Sequence, residues 1–91
     1  MDKEYSYPIE ADWSTEEVID VVQFYEAVEK GFDEGVARQE LSDKYQQYKK
    51  VVPSKSEEKT QFKEFEKSSG YAPYKLIKQL KDDSQTEKIT G

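Results

Sequence analysis

Four lysines, Lys55, Lys59, Lys63 and Lys67, recur at every fourth position. A helix lines them up as one gently curving ridge of ammonium groups. Adjacent like charges at that spacing cost an isolated helix roughly a few tenths of a kcal/mol each. The ridge is therefore either a solvated face, a surface shared with acids of the first helix, or the seat of an anionic partner. Lys75, Lys78 and Lys81 extend the basic character onward. Tyr71 and Tyr74 flank the bend Ala72-Pro73 beside these lysines. Exposed, the two phenols would make an interaction corner; buried, they would seal one end of the fold. These six residues, the four ridge lysines with Tyr71 and Tyr74, are the candidate partner surface.

Other chemistry is sparse. Histidine and cysteine are both absent. Their absence removes the commonest general base, the thiolate nucleophile and ligand, and every disulfide. The acids Glu16, Glu17 and Asp20 cluster where a helix should begin. They suit a hard-metal site or an acid–base pair, and equally a cap and a favourable interaction with the helix dipole. The second role is preferred, because an all-carboxylate cation site usually draws ligands from several elements. No catalytic, cofactor-binding or metal-binding residue is assigned, and no cofactor is expected.

The break Ser68-Ser69-Gly70-Tyr71 has the length of a helix-turn-helix turn. Arg38 is the only arginine, however, and bidentate guanine readout favours that side chain. A net charge of −6 also opposes binding to a polyanion. Nucleic acid is thus not the expected partner. A phosphate-bearing ligand or RNA remains the alternative use of the lysine ridge, and a carboxylate/divalent-metal enzyme ranks third.

The elements that must position these residues are announced by two helix-start signatures, Ser14-Thr15-Glu16-Glu17 and Ser54-Lys55-Ser56-Glu57. Each places a glutamate three residues after a serine, the capping-box arrangement in which each side chain satisfies one orphan backbone N–H. Val18, Val21, Val22, Tyr25, Val28 and Phe32 follow at helical spacing, which predicts a first helix over about 15–33. Trp13 and Val18 stand at hydrophobic-staple positions. Leu41, Tyr45, Tyr48 and Val52 predict a second helix over 37–51, ended by Pro53. Phe62 and Phe65 anchor a third over 55–68, with Gly70 as its left-handed stop. Pro73 opens a fourth over 73–81, buried through Leu76, Ile77 and Leu80.

Residues 1–13 read as an extended arm, with Tyr5, Tyr7 and Ile9 alternating around Pro8 and laid into an interhelical groove. Residues 82–91 read as a flexible polar tail, and no strands are expected. The fold class is all-α: a compact bundle of four helices with an extended N-terminal arm, forming a single domain over 1–81.

Hydrophobic residues make up 34% of the chain and charged residues 37%. That balance leans towards disorder, but 13% aromatic content gathered on helical faces favours a thin folded core. Charge is split along the chain. Residues 1–35 carry eleven acids against two bases, and residues 36–91 carry nine against twelve. No apolar run reaches the roughly 18 residues of a membrane span. The acidic N-terminus lacks the basic and apolar regions of a signal peptide. A cytoplasmic, non-catalytic protein that binds a protein partner or itself is the expectation.

Trp13-Ser14-Thr15-Glu16-Glu17, Pro53-Ser54-Lys55-Ser56-Glu57-Glu58-Lys59 and Ser69-Gly70-Tyr71 together resemble a YktA-like family of small uncharacterised proteins (a UPF class) from low-GC Gram-positive bacteria. The resemblance runs from Tyr7 to about Lys81, in several segments in the same order. It implies a compact helical fold and a bacterial, cytoplasmic setting. It supplies no activity and no functional residues.

Overall fold

A computed structural model describes residues 7–82 and 87–91. Four helices form in the expected order: α1 (Thr15–Asp33), α2 (Arg38–Val51), α3 (Lys55–Ser69) and α4 (Pro73–Lys81). Their ends follow local chemistry. At α1 the Ser14 Oγ accepts from the Glu17 N–H at 3.2 Å, and the Glu17 carboxylate accepts from the Ser14 N–H at 2.8 Å, a complete capping box. At α3 only half of the box forms: Ser54 Oγ accepts from the Glu57 N–H at 3.4 Å. Gly70 closes α3 at φ +84°, and Gly35 turns the chain after α1 at φ +98°, conformations that favour glycine.

The interior is aromatic. Phe24 lies 4.5 Å from Tyr48 between ring centroids, and Tyr25 lies 4.6 Å from Phe65. Phe62 closes the group between Phe24 and Tyr48. Phe24 is fully buried, although the first-helix pattern passes over it; Val18, Val22 and Phe32, which the pattern includes, are only half-buried. The buried face of α1 has turned towards the rings of α2 and α3. At the centre, the hydroxyls of Tyr25 and Tyr48 both donate to Gln61 Oε1, at 3.1 and 3.0 Å. Both buried hydroxyls thereby find an acceptor in one glutamine oxygen. A Cα radius of gyration of 12.5 Å matches the roughly 12 Å of a folded chain this long, so the high charge content does not prevent collapse.

Two expectations need correction. Val36–Ala37 (β1) and Lys88–Ile89 (β2) form a two-residue antiparallel pair, with Val36 opposite Ile89 and Ala37 opposite Lys88. Residues 87–91 are accordingly not a loose end of a polar tail; residues 83–86 of that tail lie outside the described part. Ile89 is completely buried in the core. The physical reason lies at α2, whose cap residue Ala37 has no side-chain oxygen to offer. The Glu87 carbonyl takes that place, accepting from the Arg38 N–H at 2.7 Å. Gln79 Nε2 donates to the Thr90 carbonyl at 2.6 Å, and the Gly91 N–H donates to the Gly31 carbonyl at 3.2 Å. The segment is a strap across α1, α2 and α4.

The arm also differs in part. Tyr7 stacks on Tyr25 and Phe65 and donates to Glu29 Oε1 at 2.8 Å. Ile9 is 42% exposed, so it does not share the groove with Tyr7. Tyr5 lies outside the described residues.

Candidate functional site

Successive ridge lysines advance about 40° around an α-helix per four residues. The ridge therefore spirals, and its members cannot all face one neighbour. Lys55, Lys59 and Lys63 border a groove between α3 and α4, and Lys67 is not among the residues that line it. The groove has two adjoining depressions. One, of about 370 Å³, is lined by Lys59, Thr60, Phe62, Lys63, Glu66, Ala72, Pro73 and Tyr74. The other, of about 210 Å³, is lined by Lys55, Glu58, Lys59, Phe62, Tyr74, Ile77 and Lys81. Lys59, Phe62 and Tyr74 belong to both.

Phe62, Pro73 and Ile77 are buried residues whose edges make an apolar floor, and Tyr74 stands over them 61% exposed. Among the described residues, no carboxylate lies within ion-pair distance of Lys55, Lys59, Lys63, Lys67 or Lys81. Glu66 sits on the rim. Glu58, at the base, is already held by Lys49 Nζ at 2.6 Å and by the Tyr45 hydroxyl at 2.7 Å. The Tyr45 phenol is pushed well above its ordinary range, first by burial and then by that hydrogen bond. The groove thus offers fixed apolar surface, one free phenol and a cationic border.

Tyr71 takes a different place. Its ring stacks on Phe32 at 5.0 Å with planes 7° apart, and its hydroxyl donates to Asp33 Oδ1 at 2.7 Å. This bond raises the phenol's pKa. Tyr71 ties the α3–α4 bend to the end of α1 rather than facing the groove. The acids at the start of α1 are separated in role: Glu17 is committed to the capping box, and no group of three acids among the described residues is placed to hold a metal ion. Sequence reasoning assigned Phe62 and Ile77 to the core alone. Their second role as groove floor depends on where α4 lands, and only the shortness of the α3 apolar stripe hinted at it.

The model of an uncharacterised protein family, UPF0223, matches residues 4–89. The chain belongs to the UPF0223 family. A UPF0223 protein of Lysinibacillus sphaericus is 52% identical over 87% of this chain and 83% of its own length. One from Listeria monocytogenes is 52% identical, covering 94% of both chains. Another, from Staphylococcus aureus, is 46% identical over 97% of both. These are low-GC Gram-positive bacteria, in agreement with the resemblance carried by the two serine-glutamate signatures and the Ser69-Gly70-Tyr71 segment. Among the described residues of this UPF0223 member, no helix is long and apolar enough to cross a membrane.

Proposed function

We propose that this chain is a small cytoplasmic, non-catalytic binding module that receives an acidic, partly apolar protein segment in the α3–α4 groove. The carrying observation is the border of Lys55, Lys59, Lys63 and Lys81, without carboxylate partners among the described residues, above the Phe62–Pro73–Ile77 floor. Exposed ion pairs contribute only about 0–1 kcal/mol each. Affinity must therefore come chiefly from covering Tyr74, since the floor is already nearly buried, with the lysines setting which partner is accepted. A protein segment supplies both parts; a bare phosphate supplies only charge. Absence of cysteine suits a reducing compartment.

RNA or a phosphate-bearing ligand is the competing reading of the same lysines, and Glu66 on the rim weighs against it. A carboxylate/divalent-metal enzyme has less support, since Glu17 is spent on a cap. A photoreactive side chain at position 74, irradiated in source cells, tests the proposal. The expected product is a crosslink to an acidic protein segment that disappears when Lys59→Glu and Lys63→Glu are introduced together. Identical crosslinks with and without those changes would refute the groove as the site. Nuclease-sensitive products would transfer the function to RNA.

A further inference from the structure

We infer that one segment accepted by the α3–α4 groove is the outer face of α1 from a second copy of this chain. The inference rests on the groove being a docking site for acidic, apolar segments. Glu16, Ile19, Gln23 and Glu26 follow one another at spacings of three, four and three, so they share one exposed face of α1. Ile19 is 48% exposed, an isolated apolar side chain framed by two carboxylates. That is the chemistry the groove lacks: acids for its lysines and an aliphatic knob for its floor.

The dimensions agree. Glu16 and Glu26 are about 15 Å apart along the helix axis, and Lys55 and Lys63 about 12 Å, within the reach of flexible side chains. Lys30, near the end of α1, is paired with Glu40 at 3.4 Å, and Lys44 of α2 reaches onto the face only at its neutral member, donating to Gln23 at 3.1 Å. Charge along the chain is complementary in the same sense, with eleven acids against two bases before residue 36 and a basic excess beyond it.

Groove and α1 face are different surfaces, so the contact is heterologous. It closes into a ring or extends into a chain of copies. Sedimentation velocity of the full chain over rising concentration reads this directly. At low ionic strength, where charges act over about 10 Å or more, the chain should associate, and high salt should disperse it. Lys59→Glu/Lys63→Glu and Glu16→Lys/Glu26→Lys should each weaken self-association by about tenfold or more. An equimolar mixture of the two variants should form one-to-one dimers, because the intact α1 face of the first meets the intact groove of the second. All four positions are exposed, and melting curves verify that both variants fold.

A chain that stays monomeric at every concentration and salt level, or association unaffected by either variant, would overturn the inference. Position-74 crosslinks to other acidic proteins would in that case leave the groove's proposed function standing.

Discussion

Ile89 offers the sharpest test of the fold, because its burial ties a chain segment to the core that composition alone assigns to solvent. Its side chain is fully covered, and its backbone pairs with Val36. Truncation to alanine removes the larger part of a buried aliphatic group. Such changes cost about 2–5 kcal/mol, with the higher values found where surrounding atoms cannot close the cavity. The strap is held by a two-residue pairing and a few hydrogen bonds, so its neighbours can settle inward. Ile89→Ala should accordingly fall near the lower end, about 2–3 kcal/mol.

Urea denaturation reads this out. With a slope near 1 kcal/mol/M for a small domain, the midpoint should drop by about 2–3 M. Lys88→Ala is the control: Lys88 is exposed beside Ile89, and its loss should stay within about 0.5 kcal/mol. Hydrogen exchange supplies an independent view. The Arg38 amide donates to the Glu87 carbonyl, so loosening the strap should accelerate its exchange ahead of amides near Phe24. An Ile89→Ala midpoint indistinguishable from wild type would refute the docked strap and return residues 87–91 to solvent.

Capping predicts an order: Ser14→Ala should cost about 1–2 kcal/mol and Ser54→Ala about 0.5–1 kcal/mol, because only Ser14 has the reciprocal bond; thermal melts that reverse the order would contradict it. Gly31→Ala should destabilise by about 1 kcal/mol despite alanine's helix preference, since the new Cβ would lie 2.6 Å from Leu76 Cδ1 and 3.2 Å from Val36 Cγ1, both on buried side chains. Chemical denaturation checks this, and a stabilised variant would show that Leu76 can step aside. Burial raises the phenols of Tyr25, Tyr45 and Tyr48 above their ordinary value, which is about 10. Stability is then fully present below that pH and declines above it, as the unfolded state ionises first. Phenolate absorbance should show these three titrating only with alkaline unfolding. Finally, Gln61→Leu and Tyr48→Phe should couple by about 1 kcal/mol in a double-mutant cycle, because the glutamine oxygen accepts from that hydroxyl; additive effects would break the link.

What the sequence made legible was local. Ser14, Gly70 and Pro73 mark helix ends through interactions spanning a few residues, and each stands where its chemistry placed it. The inward turn of Phe62 and Phe65 follows from spacing alone. Glu58 and Gln61 were not legible as buried, because what makes a polar group tolerable there is hydroxyl donors from Tyr25, Tyr45 and Tyr48 on other helices. The strap left one usable trace: α2 begins without a capping side chain at Ala37, a deficit that something distant had to fill. For the site, the lysine period was visible. Which three of the four would meet α4 was not, since that depends on the roll of α3.

That roll is where the polar interior and the groove become one problem. Gln61 and Phe62 are adjacent, so an α-helix sends them about 100° apart. With Gln61 fixed beneath two tyrosine hydroxyls, Phe62 is directed between the rings of Phe24 and Tyr48 on one side and the groove floor on the other. In an all-apolar core, slippage of α3 would cost repacking alone, about 1–3 kcal/mol where side chains are forced from their rotamers. Slippage here would break both bonds to Gln61 Oε1 and leave the two hydroxyls only their long 3.4 Å contact with each other, at about 1–3 kcal/mol for each group left unsatisfied. The buried hydrogen bonds therefore do more than offset their own desolvation. They favour the rotation of α3 in which Lys55, Lys59 and Lys63 edge an apolar cleft and Lys67 is not part of its lining.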